Sequence, residues 1–71
     1  MKELQVTINP IILCLFNELL EGSLNLDTLY QRRRASHSKG DLDKVQSIQR
    51  AIDLFKFKNK YNTTFNFTIT Q

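Results

Sequence analysis

The sequence predicts a small α+β domain in the order β-α-α-α-β, a two-stranded terminal ribbon packed on helices, with a sheet able to extend across a dimer. Three observations predict it. Residues 3–8 alternate strictly between apolar and polar, residues 63–70 do so again, and apolar residues recur at helical spacing in the three capped segments between them.

A chain of 71 residues forms one domain, residues 1–71, and a domain this small buries only about 60% of its unfolded-chain surface. Such domains usually need a disulfide, a metal or a partner. The single cysteine, Cys14, excludes an intrachain disulfide, so self-association is the expected aid.

In the first strand Leu4, Val6 and Ile8 share one face, and Glu3, Gln5 and Thr7 the other. Asn9 then offers a capping oxygen, and Pro10 lacks an N–H that would be orphaned at a helix start. A helix over 10–21 follows. Ile12, Leu15, Phe16, Leu19 and Leu20 make its apolar stripe, widened by Ile11, Leu13 and Cys14 almost to a full circle. An all-round apolar helix is covered on more than one side, so a dimer contact through Ile11, Leu15, Phe16 and Leu19 is expected. Cys14 is expected to be a small buried hydrophobe. The apolar run Ile11–Phe16 is far shorter than the ~20 residues that span a bilayer, and it lacks the flanks of a signal peptide. The expected setting is a reducing, cytoplasmic one, with no membrane contact.

Gly22 ends the first helix in a left-handed conformation, and residues 23–25 connect. Asp27 is the expected cap of the second helix, where Leu26, Leu29, Tyr30 and Arg33 recur at helical spacing. Ala35 to Gly40 is small and polar and reads as a loop. Asp41 caps the third helix, whose Leu42, Val45, Ile48, Ile52 and Phe55 run at steps of three and four, with Ala51 and Leu54 widening the face. Lys44, Gln46, Ser47, Gln49, Arg50 and Asp53 form the wet side, where Asp53 and Lys56 are one turn apart. Residues 56–62 read as a solvated exit. Phe65, Phe67 and Ile69 then alternate with Thr64, Asn66, Thr68 and Thr70 as the last strand, matching Leu4, Val6 and Ile8 on the first. Open ribbon edges are usually paired, covered or charged, and the uncharged stretch 63–70 is the expected docking edge.

No catalytic, cofactor or metal site is expected. His37 reads as a solvated loop residue, and His37, Asp41 and Asp43 lack the ligand set of a zinc or calcium site. Glu18 and Glu21 read as the solvent stripe of the first helix. Arg33-Arg34-Ala35-Ser36 fits the pattern basophilic kinases read, and Asn62-Thr63-Thr64 the glycosylation pattern; both are short enough to occur by chance.

The formal charge of +3 permits an anionic partner. Candidate contacts to a partner or nucleic acid are Arg32, Arg33, Arg34, Lys39, Lys56, Lys58, Lys60 and Tyr61. Three consecutive arginines span about 200° of a helix, so they do not serve one flat face. Lys56, Lys58 and Lys60 alternate with Phe57 and Tyr61, a pattern of cations beside stacking rings.

Lys2 to Ile8, Asn9-Pro10, an apolar helix ending at Gly22-Ser23 and a second helix with arginines resemble the ribbon-helix-helix DNA-binding dimers over the first half of the chain. The resemblance implies that the first strand pairs with its dimer mate and that Glu3, Gln5 and Thr7 enter the major groove. Glu3 places an anion there, and the third helix and last strand fall outside the pattern. The other expectation is a non-enzymatic regulatory or inhibitor-type protein, of the kind found in viruses and mobile elements, which self-associates and binds a protein partner.

Overall fold

The structure, a computed structural model, describes residues 3–70; Lys2, the first residue of the ribbon-like pattern, lies outside them. β1 (Glu3–Ile8), α1 (Pro10–Glu21), α2 (Leu26–Ser38), α3 (Leu42–Tyr61) and β2 (Thr64–Ile69) follow one another. The order is the one expected, and the terminal strands form one two-stranded sheet on the helices.

Each helix end has a local cause. Asn9 Oδ1 accepts the Ile12 amide at 2.8 Å, Pro10 occupies the first turn, and Gly22 at φ 83° closes α1 with its amide on the Leu19 carbonyl. At α2 the cap is Asn25, not Asp27. The Asn25 side chain accepts the Thr28 amide at 2.8 Å, and Asp27 sits inside the first turn, where its charge favours the helix dipole.

Residues 35–38, expected as loop, complete α2. The Gly40 amide donates to the His37 carbonyl at 3.0 Å and the Asp41 amide to that of Ser36 at 2.9 Å. With Gly40 at φ 77°, this is a Schellman closure, so the glycine marks a helix end rather than the middle of a loop. Ser36, the serine of the Arg33-Arg34-Ala35-Ser36 pattern, is buried.

α3 also runs further than expected, through residues 56–61 to a stop at Asn62 in the left-handed region, φ 49°. Its last turns are exposed except at half-buried Lys58, as expected, but they are also held by contacts. Phe57 and Tyr61 lie one turn apart with ring centroids at 4.6 Å, Phe57 reaches Phe65 at 6.2 Å, and Lys58 donates to the Thr63 carbonyl at 3.1 Å.

The chain reverses at each connection, and three helices between two strands make β1 and β2 parallel. Leu4 stands opposite Phe65, Val6 opposite Phe67 and Ile8 opposite Ile69, so the apolar faces coincide. Val6, Ile8, Ile12, Phe16, Ala51 and Leu54 form the core between the sheet and α1 and α3. A second cluster of Leu19, Leu24, Leu29, Ile48 and Ile52 joins the helices. Leu15 and Phe55 pack against both.

Several side chains depart from the expected sides: Leu20 of the α1 stripe is 45% exposed, and Leu4 and Ile69, at opposite ends of the sheet's apolar face, are 38% and 40% exposed. Cys14 is exposed, because α1 can turn only part of its circumference inward. Leu42 is 59% exposed at the first turn of α3. Ser47, expected on the wet side, is buried near Asn9 and Ile12, where a small side chain lets helices approach.

Candidate functional site

The alternation of β1 and β2 leaves Glu3, Gln5, Thr7, Thr64, Asn66 and Thr68 on an exposed polar face. Parallel sheets are usually covered on both faces. This one is covered on one.

The Thr70 amide donates to the Ile8 carbonyl at 2.9 Å, which sets the direction of every backbone group in the ladder. Successive residues of a strand point their N–H and C=O to opposite sides. In β2, residues 64, 66 and 68, and Thr70 just beyond it, therefore turn their backbone groups towards β1, while those of Phe65, Phe67 and Ile69 turn outward. In β1 the outward set is Glu3, Gln5 and Thr7. No third strand joins either edge among the described residues.

The β2 edge is bordered by aromatic surface. Phe16 contacts Phe65 and Phe67 edge-on. Phe65 and Phe67 are half-buried, and the cluster continues into Phe57 and Tyr61, which are 40% and 56% exposed. Lys60 lies 5.3 Å from the Tyr61 ring. From residue 54 to residue 71 the sequence has lysines at 56, 58 and 60 and no carboxylate side chain, while Glu3 of β1 stands opposite Thr64 at the start of β2.

The eight basic and aromatic candidates fall into three groups. Lys58, Lys60 and Tyr61 stand at the start of β2. Arg33, Arg34 and Lys56 gather around Tyr30: the Arg33 guanidinium is 5.1 Å and the Lys56 ammonium 5.4 Å from its ring centroid, and Arg34 and His37 line the same open cleft. Arg33 also donates to Gln49 Oε1, and Gln49 Nε2 donates to Asp53 at 2.8 Å, so Asp53 is taken by Gln49 while Lys56 turns to Tyr30. Arg32 and Lys39 face a separate cleft with Asp41 and Lys44. The arginine run is thus split between two faces, as its helical angles require.

Tyr30 is the residue that sequence reasoning missed as a site. Its signal was Arg33 one turn later, at a spacing that brings a cation onto a ring.

Of the four self-association candidates, Phe16 and Leu19 point into the chain's own core, at 2% and 5% exposure. Outside on α1 lie exposed Leu20 and a shallow apolar strip of Pro10, Ile11, Cys14 and Leu15, flanked by Glu18 and Arg32. Among the described residues no three His, Cys, Asp or Glu side chains converge, and no helix is long and apolar enough to cross a membrane. Comparisons with protein families, with curated proteins and with solved structures find no match for this chain.

Proposed function

We propose that this chain is a small non-enzymatic regulatory or inhibitor-type protein that acts by binding a protein partner and that self-associates through the outer strip of α1. The observation that carries the reading is the half-made sheet. Two parallel strands with helices on one face leave outward-turned backbone groups at both edges, and strand addition by another chain is one way such an exposed edge is covered. On α1, Ile11 is 60% exposed and is flanked by charges of both signs, Glu18 and Arg32, a layout that two copies related by a two-fold axis can match.

Affinity capture with the tagged chain, repeated with an edge variant, Ile69→Pro, tests the reading. A protein retained by the wild type and lost from the variant supports it.

A second reading, a DNA-binding regulator like the ribbon-helix-helix dimers, is favoured by the exposure of Glu3, Gln5 and Thr7. Against it, β1 finds its partner strand within its own chain. Gel shifts at two salt concentrations separate the two, since binding driven by phosphate contacts weakens steeply as salt rises.

A further inference from the structure

We propose that the cleft between α2 and α3 at Tyr30 binds a phosphate monoester, carried by a residue of a protein partner or by a free small molecule; this goes beyond the protein-binding reading above and does not depend on it. The cleft is lined by Tyr30, Arg33, Arg34, His37, Ser38 and Val45, and Lys56 stands over the same Tyr30 ring. None of these is acidic. The Arg33 guanidinium lies over the ring and donates to Gln49 Oε1, an acceptor without charge, so its planar fork is held in place but not neutralised. Its remaining N–H groups therefore meet an incoming anion at little cost in side-chain freedom.

The local charge matches a dianion. Asp53 is joined to the cluster only through Gln49, which stands between it and Arg33. Asp27 lies about 10 Å along α2 from the arginines, and Asp41 and Asp43 line other clefts. Arg33, Arg34 and Lys56 set against Asp53 leave two positive charges, and a phosphate monoester brings about −1.5 to −2 on three acceptor oxygens. A carboxylate brings a single charge. A nucleic-acid strand fits less well, because Tyr30 already carries two cations and is no open platform for a base. Arg32 and Lys39 face a separate cleft with Asp41, so the cations at Tyr30 converge on one point instead of tracking a backbone.

The test titrates the isotope-labelled full chain at low salt, where surface charge is least screened, and follows its amide shifts. The probes are a capped phosphoserine peptide, the same peptide with Ser or Glu in its place, adenosine monophosphate and adenosine. A phosphate probe is expected to move the signals around Tyr30 and to bind roughly tenfold more tightly or better than its counterpart without phosphate. Tighter binding of the phosphopeptide assigns the site to a phosphorylated residue of a partner, and tighter binding of adenosine monophosphate to a free phosphate monoester. Arg33→Gln should weaken the phosphate probe roughly tenfold, and Arg34→Gln, at an exposed position, roughly fivefold with the melting temperature kept. Lys44→Gln, on the neighbouring cleft, should change it less than about twofold. If Arg33→Gln fails to fold, Arg34→Gln against Lys44→Gln decides. Phosphoserine and Glu peptides that bind alike, binding of neither phosphate probe, or equal losses in Arg34→Gln and Lys44→Gln overturn the proposal. So does an oligonucleotide without a terminal phosphate that binds more tightly than either phosphate probe and weakens alike in both variants, because the cations then serve a nucleic-acid backbone.

Discussion

Phe16 stands edge-on against Phe67, with ring centroids 5.2 Å apart and planes at 74°, so the middle of α1 is keyed to the middle of β2 across the core. The same ring meets Phe65 at 5.7 Å. Edge-to-face pairs of this kind add about 0.5–1.5 kcal/mol beyond area burial. Phe16→Ala removes both and leaves a cavity, at a cost of about 3–5 kcal/mol. That is a large share of the ~5–15 kcal/mol available to a whole domain. Urea unfolding of the variant should show loss of the native baseline, with Phe16→Leu intermediate; a midpoint equal to wild type would place Phe16 outside the core.

A charge on α1 should act differently at its two sides. Phe16→Glu buries an unpaired carboxylate and should unfold the chain. Ile11→Glu adds a charge at a 60% exposed position and should leave the melting temperature nearly unchanged while weakening self-association in sedimentation. If Ile11→Glu associates as the wild type does, the α1 strip is not the contact between copies.

Cys14 gives a direct readout of the same strip. Because the thiol is exposed, a thiol reagent should label the dilute native chain at nearly the rate of the unfolded one. Protection should grow with protein concentration if copies meet through α1. Slow labelling at every dilution would return Cys14 to the interior.

The caps separate two neighbouring acceptors. Asn25→Ala should cost about 1 kcal/mol, since it orphans an amide that Asn25 now satisfies, whereas Asp27→Ala, which loses only a favourable first-turn charge, should cost no more than about 0.5 kcal/mol. Paired thermal melts decide it, and a larger loss at Asp27 would move the start of α2.

Those two residues also show why some of the fold was legible and some was not. Period-two alternation determines faces, so Leu4, Val6 and Ile8 could be matched to Phe65, Phe67 and Ile69 before any coordinates. Alternation carries no strand direction; the parallel pairing comes from the odd number of helices that return the chain. Helix ends were read from local composition, and there tertiary contacts decide. Ala35-Ser36-His37-Ser38 looks like loop until Ser36 is buried and Gly40 closes the turn, and Lys56 to Tyr61, solvated as they look, stay helical where Phe57 meets Phe65. The site was legible in its pieces, as basic residues and an uncharged last strand. Which cations share a ring depends on α2 lying against α3, so Tyr30 with Arg33 and Lys56 emerged only from packing.

Removing β2 tests the architecture and the second functional reading together. Truncation before Thr63 takes away Phe65, Phe67 and Ile69, each worth roughly 1.5–3 kcal/mol where fully buried and less here, where they are partly exposed. It also removes Thr63, whose side chain is 1% exposed and whose carbonyl holds Lys58, and it leaves Leu4, Val6 and Ile8 without a paired strand. A small core has little reserve against such a loss, so the truncated chain should be insoluble or lack a cooperative thermal transition. In a ribbon-helix-helix arrangement β1 pairs with its dimer mate and the tail is an appendage, and the truncation would then melt cooperatively as a dimer. That outcome would remove the in-chain pairing of β1 with β2 as the basis of the fold and put DNA binding ahead of protein binding.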